Sequence, residues 1–393
     1  MGSKLPTGGG PLSGYRVLEM AGIGPGPFCA MLLADMGAEV IRIDRMSGSA
    51  RTIEVDARLD LTARGRRSLA LDLKRPEAVA TVLRLCRTAD GLIEGFRPGV
   101  MERLGLGPAQ CLAANPRLIY GRMTGWGQSG PLAQLAGHDI NYLAISGMLY
   151  LMGRAEERPA PPLNLVADMG GGGLMLAFGV TCALLERERS GKGQVVDAAM
   201  TEGAALLATG IFAQKAMHWW GTARGANLLD TGAHFYEVYA TKDARYVAVG
   251  AIEPQFYALL LEGLGLDAAS LPPQMERGSW PAMKVRFAEI FRTRTRDEWT
   301  ELFAARDACV TPVLTPEEAA RHPQALARGS YRDTPALHPA PAPRFSRSSA
   351  RDPEAPPTAG QHSEEILASF GFSVEEIAAL RGCGAMAQGT PNG

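Results

Sequence analysis

The sequence has few of the residues that metal centres and disulfide frameworks need. Its six cysteines and six histidines are scattered over 393 residues, and no two cysteines have CxxC spacing. A structural metal site requires such side chains in clusters, so we expect no metal centre. Isolated thiols are typical of a reducing compartment, and we therefore expect a cytoplasmic protein whose cysteines are free.

An excess of charge of one sign is also lacking. The 40 Lys and Arg residues balance 41 Asp and Glu residues, which leaves a formal net charge of -1. Without a basic excess we expect neither a nucleic acid nor a membrane surface as partner. We find no apolar run that approaches the roughly 20 residues needed to span a bilayer. The Gly- and Pro-rich residues 1–10 have no signal-peptide core.

The chain does contain a regular alternation of short apolar runs and helical patterns. Residues 15–20 predict a strand, 28–36 a helix and 39–44 a second strand, and the alternation continues to about residue 150. Such a pattern is typical of an α/β domain with a parallel sheet. Residues 174–189 predict a strong helix that ends before Gly191.

A change of composition near residues 218–230 predicts a domain boundary. Between residues 235 and 250, two β-rich runs flank Lys242-Asp243-Ala244 and predict a hairpin. Helical stretches follow, which together indicate a smaller α+β domain. Residues 335–357 contain seven prolines and predict an extended return strap.

A glycine turn at residues 22–27 follows the first strand and resembles a dinucleotide-binding fingerprint. Pro27 occupies the place of the third glycine, where it adds a ring and removes an N–H donor that a pyrophosphate would need. A tight turn before a helix explains the glycines better than an NAD site does.

Three strings in the chain carry a family resemblance. Residues 137–142 read GHDINY, residues 162–173 read PLNLVADMGGGG, and residues 250–257 read GAIEPQFY. In this order they resemble the alpha-methylacyl-CoA racemases of the family III CoA-transferase superfamily. Further agreeing strings, among them those at 24–45 and 360–377, extend the resemblance from about residue 12 to 381.

The resemblance implies a fold and a partner. It implies a Rossmann-like large domain from residues 12–217 together with 335–381, a smaller α+β domain from residues 225–330, and two interlocked subunits in a homodimer. The active site would lie between the large domain of one subunit and the small domain of the other. The substrate would be an acyl-CoA thioester that brings its own CoA, with no separate cofactor. We expect residues 1–10 and 386–393 to be flexible tails.

The implied reaction inverts the carbon next to a thioester, which must lose a proton on one face and gain one on the other. Two unlike acid/base groups on opposite faces can do this through an enolate. The resemblance implies that His138 and Asp168 are this pair. It further implies that Glu253 orients the imidazole and that the backbone amide of Asp139 stabilises the enolate oxygen.

Each of these side chains also has an ordinary structural explanation. His138 could be a structural histidine, Asp168 could be the N-cap of helix 174–189, and Glu253 could be a carboxylate favoured at a helix start. The four glycines at 170–173 either expose N–H donors toward the enolate or simply permit close packing.

Residues in the matching strings are candidates for binding the CoA moiety. Arginines suit its phosphates because their forked donors bind two oxygens at once, and we expect Arg97 and Arg45 first. The complete predicted set is Arg45, Leu71, Asp72, Leu73, Lys74, Gly95, Phe96, Arg97, Arg103, Gly137, Ile140, Asn141 and Tyr142.

Three other functions remain to be weighed. A CoA-transferase of the same fold would use the carboxylate at Asp168 as a nucleophile and form a mixed anhydride, but would not need His138 with Glu253 as a second base. A non-catalytic CoA-binding protein would need none of the three, and a dehydrogenase would need the disfavoured NAD site. One residue departs from the usual pattern, since His234 stands where proline is usual, which concerns loop shape near the site.

Overall fold

The computed structural model describes residues 9–46, 56–349 and 352–390. Within them the chain divides into two compact units. The larger unit contains the chain up to Ser146, Leu163–Leu207 and the chain from Gln324 onward, and the smaller unit contains Gly147–Pro162 and Ala208–Pro323. These bounds differ from the sequence prediction, because residues 147–162 and 208–217 cluster with the smaller unit and residues 324–330 cluster with the larger one.

The strands, in chain order, are β1 (Arg16–Met20), β2 (Glu39–Asp44), β3 (Arg66–Leu71), β4 (Gly91–Glu94), β5 (Ile119–Thr124), β6 (Gln194–Ala199), β7 (Tyr236–Ala240), β8 (Tyr246–Gly250), β9 (Val310–Pro312), β10 (Tyr331–Arg332), β11 (His338–Pro339) and β12 (Met386–Ala387).

The α-helices are α1 (Pro25–Asp35), α2 (Pro76–Cys86), α3 (Val100–Arg103), α4 (Pro108–Ala114), α5 (Asp139–Ser146), α6 (Met148–Leu151), α7 (Met175–Ser190), α8 (Met200–Leu207), α9 (Thr209–Ala216), α10 (Pro254–Leu264), α11 (Trp280–Phe291), α12 (Arg296–Ala304), α13 (Pro316–Arg321), α14 (Pro323–Arg328), α15 (Ser363–Ser369) and α16 (Val374–Gly382). A π-helical segment, Leu165–Leu174, leads directly into α7.

In the described part of the larger unit, seven strands form one sheet in the order β12-β3-β2-β1-β4-β5-β6. Strands β1 to β6 are parallel, and β12 joins the edge antiparallel to β3. The order 3-2-1-4-5-6 is that of the Rossmann fold, in which the direction of winding reverses between β1 and β4. The predicted α/β class with a Rossmann-like large domain is therefore confirmed.

The turn after β1 illustrates how the sequence shapes this sheet. Gly24 has a φ of 73°, a left-handed conformation that favours glycine, and Pro25 begins α1 directly after it. The interpretation of residues 22–27 as a tight turn before a helix agrees with this geometry. The turn brings the start of α1 to the carboxyl end of β1.

The C-terminal end of the described chain completes the sheet. Met386 pairs with Leu71 of β3 and is 1% exposed. The expectation of a flexible tail from residue 386 is therefore wrong for Met386 and Ala387. Residues 1–8 and 391–393 of the expected tails lie outside the described residues.

Helical structure continues without a break through Leu165–Ser190, a run of 26 residues with a mean hydropathy of 1.5 over an 18-residue window. By length and composition alone this helix could cross a membrane, so the expectation that no run approaches that length is wrong. The same test is passed by core helices of soluble proteins. Here Leu176 and Val180 pack on Gly121 of β5, so one face of the helix covers the sheet.

The smaller unit has its own sheet and its own core. Strands β7, β8 and β9 pair antiparallel in that order, and the predicted hairpin around residues 242–244 joins β7 to β8. Helices α10, α11 and α12 pack with these strands around an aromatic core, which includes Phe235 just before β7 and Trp280, Phe287, Phe291 and Trp299 from the helices.

Candidate active site

A pocket of about 560 Å³ lies at the carboxyl edge of the parallel sheet in the larger unit. Its walls are formed by residues 23–26 after β1, residues 95–98 after β4, and residues 123–126 at the end of β5. Because winding reverses between β1 and β4, the chain segments after these two strands diverge and leave a crevice. The pocket therefore lies where a Rossmann-like sheet is expected to bind its ligand.

Both predicted acid/base groups line this pocket. The predicted site residues found among its walls are Gly95, Phe96, Arg97, Gly137, His138, Tyr142 and Asp168. His138 and Asp168 are 30 positions apart in the sequence, yet the fold brings both to one cavity. The positively charged side chain of Arg97 also lines this cavity, so the cavity can bind an anionic ligand.

His138 lies immediately before helix α5, with an exposed side chain. Its backbone N–H donates to Oδ1 of Asn141 at 3.0 Å, and its carbonyl accepts from the backbone N–H groups of Asn141 and Tyr142 at 2.8 and 3.2 Å. These bonds fix the main chain of His138 at the helix start. The predicted role of Asn141 in substrate binding thus has a structural alternative, because its side chain caps this turn.

Asp139 is the first residue of α5, so its backbone N–H is one of those that a helix leaves without an intrahelical acceptor. Its carboxylate points elsewhere and is 5% exposed. Oδ2 accepts hydrogen bonds from the backbone N–H groups of Ala167 and Asp168, both at 2.8 Å. Oδ1 is buried and has no hydrogen-bond partner among the described residues. The residue does not itself line the pocket, although its neighbours Gly137 and His138 do.

Asp168 lies inside the π-helical segment and is half-buried. It is therefore not the N-cap of a helix that starts at 174, as one alternative proposed, because helical structure begins before it. Burial raises the pKa of its carboxyl, and the negative charge of Asp139 raises it further, against the opposing effects of Asn164 and His138. A carboxyl with a raised pKa can hold a proton closer to neutral pH, which suits a general acid/base.

Tyr142 lines the pocket beside His138 and Asp168. Its hydroxyl donates a hydrogen bond to the carbonyl of Gly137 at 2.5 Å. Trp126 packs edge-on against its ring, with the two ring centroids 4.7 Å apart. A Cβ at Gly125 would lie 2.0 Å from the ring, so only glycine fits there. Burial raises the pKa of Tyr142, and the charge of Asp168 adds to that effect. The ring is thus a fixed wall of the pocket.

The four glycines at 170–173 pack against other backbone. A Cβ at Gly171 would lie 2.6 Å from the backbone nitrogen of Ala204, and one at Gly173 would lie 2.7 Å from the carbonyl oxygen of Pro25. Neither neighbour is a flexible side chain that could move aside. Of the two explanations offered by the sequence, close packing is the one that these contacts support.

The other predicted CoA-binding residues do not line the pocket, although Arg45 and residues 71–74 lie at the carboxyl ends of β2 and β3. Arg45 follows β2 with an exposed side chain. Leu71 is 1% exposed, so only its main chain could meet a ligand. After it, the backbone N–H of Asp72 donates to Ala385 and the carboxylate of Asp72 accepts from the N–H of Lys74.

The remaining members of the set are divided between core and surface. Leu73 packs against the core of the larger unit. Arg103 ends helix α3 with an exposed side chain, and Ile140 in α5 is 45% exposed.

Glu253 belongs to the smaller unit. It immediately precedes α10, which begins at Pro254, and its side chain is exposed. This placement is also that of the ordinary helix-start carboxylate considered from the sequence. The orienting role of Glu253 toward His138 stays a prediction.

Sequence reasoning missed two residues that support the pocket. Glu94 is 1% exposed at the end of β4; its carboxylate accepts from the N–H of Phe96 at 2.8 Å and from Nε of Arg122 at 2.9 Å. Asn164 lines the pocket and places Nδ2 3.5 Å from Oδ2 of Asp168. An acidic residue at the end of the apolar run GLIE, and an amide four residues before Asp168, were the available signals.

Residues 12–363 match the profile of CoA-transferase family III. The chain belongs to this family. It is 52% identical over 372 residues to alpha-methylacyl-CoA racemase of Mus musculus, with 94% of this chain and 96% of that protein covered. The racemase of Homo sapiens is 51% identical over 373 residues, covering 93% and 95%. The crystal structure of a CAIB/BAIF family protein from Brucella suis superposes with a TM-score of 0.80 at 26% identity, covering 92% of this chain and 100% of that one. The resemblance inferred from the sequence strings is confirmed.

Proposed function

We propose that this protein is an isomerase that interconverts the two hands of 2-methylacyl-CoA thioesters by moving one proton. The observation that most supports it is the 52% identity with mouse alpha-methylacyl-CoA racemase over nearly the full length of both chains. CoA enters as part of the substrate, and the mechanism below uses no other cofactor.

The acid/base pair in this proposal is His138 and Asp168. For one hand of substrate the neutral imidazole takes the α-proton, and the electron pair of that C–H bond moves onto the thioester oxygen as an enolate. The protonated carboxyl of Asp168 then donates a proton to the opposite face of the carbon. For the other hand the roles reverse. The raised pKa of Asp168 supports its use as a proton donor.

The enolate oxygen needs donors that are already in place when its charge develops. We assign this role to the backbone N–H of Asp139, at the start of α5, where the helix leaves N–H groups free and its dipole favours negative charge. A single donor of this kind typically lowers the activation barrier by about 3–4 kcal/mol. Glu253 would orient the imidazole of His138 and so select the ring nitrogen that accepts the proton.

The CoA moiety would extend from the pocket along the carboxyl edge of the sheet. Gly95 and Phe96 would contact the pantetheine or the nucleotide, and Arg97 and Arg45 would bind its phosphates. The other basic members of the predicted set, Lys74 and Arg103, are secondary candidates.

We further propose that the functional form is a homodimer in a cytoplasmic setting. Leu174, Phe178 and Leu185 project from one helical run and are 51%, 63% and 60% exposed. Monomeric soluble proteins rarely expose a contiguous apolar surface of this kind. A second copy of the chain, as the family resemblance implies, would cover it.

The main competing function is CoA transfer between two acids. In that reaction the carboxylate of Asp168 would attack the thioester and form a mixed anhydride, and an acceptor acid would be obligatory. The pocket position of His138 favours racemisation, since transfer by this route leaves the imidazole without a task.

The deciding experiment uses one enantiomer of a 2-methylacyl-CoA in D2O with no second acid. Racemisation predicts incorporation of deuterium at C2 together with inversion, followed by mass spectrometry and chiral analysis. An absolute requirement for an acceptor acid would contradict the proposal and identify a transferase.

The same experiment tests the two-base assignment. Each single variant, His138→Ala or Asp168→Ala, should abolish inversion but retain exchange from the one enantiomer whose proton faces the surviving base. The two variants should retain exchange from opposite enantiomers. Glu301→Gln, an exposed carboxylate on α12 of the smaller unit, serves as a control that should behave like the unmodified protein. Inversion that survives in both alanine variants would exclude this pair.

A further inference from the structure

The side chain of Asp139 links the two proposed acid/base groups directly. It follows His138 in the chain, and its Oδ2 accepts the backbone N–H of Asp168 itself as well as that of Ala167, both at 2.8 Å. One buried oxygen therefore ties the start of α5 to the π-helical segment. The path from one acid/base residue to the other is a single peptide bond, one side chain and one hydrogen bond.

We propose that the Asp139 carboxylate is a positioning residue that sets the separation of His138 and Asp168 across the pocket. This inference rests on the proposed racemase function and deepens it. It is separate from the enolate role assigned above to the backbone amide of the same residue. Inversion through an enolate intermediate requires both groups close to the same carbon. A small change in their separation should therefore affect the chemical step more than it affects substrate binding.

An ordinary helix-start carboxylate would not need this arrangement. An acidic residue in the first turn stabilises its own helix by interaction with the N–H groups there. Asp139 instead accepts N–H groups of a different segment, and its other oxygen, Oδ1, is buried with no hydrogen-bond partner among the described residues. Burying an unpaired carboxylate oxygen costs free energy. Retaining a carboxylate there points to a use for its charge.

That charge acts on Asp168. The groups facing Asp168 are Asp139 and Tyr142 from α5, His138 just before it, and Asn164 just before the π-helical segment; Gly24, just before α1, brings no charge. Arg97 from the segment after β4 acts on Tyr142. Among these the Asp139 carboxylate raises the pKa of Asp168, whereas Asn164 and His138 lower it. Removing the Asp139 charge should therefore lower the pKa of Asp168.

Two variants separate the geometric effect from the charge effect. In Asp139→Asn the amide oxygen still accepts both N–H bonds but the charge is lost. In Asp139→Ala both the bonds and the charge are lost. We expect Asp139→Ala to reduce kcat by about 100-fold with little change in KM, because a misplacement of about 1 Å costs this much. Asp139→Asn should recover most of that loss.

The pH dependence provides the readout that a purely structural role would not change. A pair that shares one proton titrates in two steps that belong to the pair, and the lower step gives the acid limb of the kcat profile. In Asp139→Asn this limb should move to lower pH. Asp35→Asn is the matched control, since Asp35 is a buried carboxylate at the opposite end of α1 from the pocket and should leave the limb in place.

The outcomes are distinguishable. If the unmodified protein catalyses no α-proton exchange, the proposed function fails and this inference with it. If the unmodified protein is active, a normal kcat in Asp139→Ala or an unmoved acid limb in Asp139→Asn overturns the inference alone. If Asp139→Ala does not fold, as judged by circular dichroism, the acid limb of Asp139→Asn decides.

Discussion

Gly203 of α8 packs directly on the backbone of Gly171, so closely that a Cβ at Gly203 would lie 1.8 Å from the carbonyl oxygen of Gly171. The contact joins α8 to the π-helical segment three residues after Asp168. Neither backbone can shift without moving the segment that carries Asp168, the proposed acid/base carboxyl. The glycine pair therefore couples packing to the geometry of the pocket.

We expect Gly203→Ala to destabilise the protein by about 1–3 kcal/mol, the usual range for overpacking. It should also lower kcat, because the displaced segment carries Asp168. The matched control is Gly210→Ala, since a Cβ at Gly210 in α9 meets nothing within 4 Å. Alanine there should be neutral or stabilising by up to about 1 kcal/mol. Denaturant unfolding of both variants checks this, and equal stabilities would contradict it.

Arg97 offers a test of CoA binding. Arg97→Met should raise KM for an acyl-CoA by about 10–100-fold, because a hydrogen bond to a charged group typically contributes about 1.5–3 kcal/mol. The value of kcat should change little, since the phosphates lie away from the reacting carbon. Arg306→Met removes an arginine that pairs with Glu262 in the smaller unit and should leave KM unaltered. An unchanged KM in Arg97→Met would remove this residue from the binding site.

Phe178 tests the proposed dimer. It is 63% exposed in the middle of the apolar surface of α7. Phe178→Glu should convert the dimer to monomer in sedimentation velocity, because a buried, unpaired carboxylate opposes association. Val374→Glu is the control, since Val374 at the start of α16 is 79% exposed and stands apart from that surface. A dimer that persists in Phe178→Glu would mean that this face is not the interface.

His234 predicts how the stability of the smaller unit depends on pH. The side chain is 1% exposed, its Nε2 lies 2.8 Å from the hydroxyl of Tyr257, and burial lowers its pKa from 6.5 to about 4. As the pH falls below 6.5, His234 becomes protonated in the unfolded chain, whereas in the folded chain it stays neutral until the pH approaches about 4. The contribution of neutral His234 to the free energy of unfolding is therefore fully present above pH 6.5 and is lost as the pH falls toward 4.

Between pH 7 and pH 5 this linkage amounts to about 2 kcal/mol. Urea unfolding followed by tryptophan fluorescence would measure it, since Trp280 and Trp299 are buried in the smaller unit. In His234→Phe the pH dependence should be weaker by that amount, while the other histidines contribute equally in both proteins. The same slope in both proteins would show that His234 does not titrate in this way.

Much of the large unit follows from local patterns. Alternating strands and helices require right-handed crossovers and a parallel sheet, and the strings around His138 and Asp168 indicated the two groups that the pocket brings together. The sequence could not show that both reach one cavity, because that depends on the reversal of winding between β1 and β4.

Two features escaped prediction for physical reasons. The glycines at 170–173 have poor helix propensity, so helix was predicted only from 174; packing against α1 and α8 overrides that propensity and extends the helix to Leu165. Strand β12 has two residues and no pattern of its own. Its pairing with β3 is a long-range contact that local sequence patterns do not predict.

The position of β12 has a consequence for how the molecule is made. The edge strand beside Leu71 and the helices α15 and α16 follow the smaller unit in the chain, so a ribosome adds them after it. The smaller unit is complete by Pro323 and can fold while synthesis continues. The larger unit begins before the smaller one and is completed after it, so the β3 edge of its nascent sheet stays unpaired until residues 386 and 387 have been synthesised.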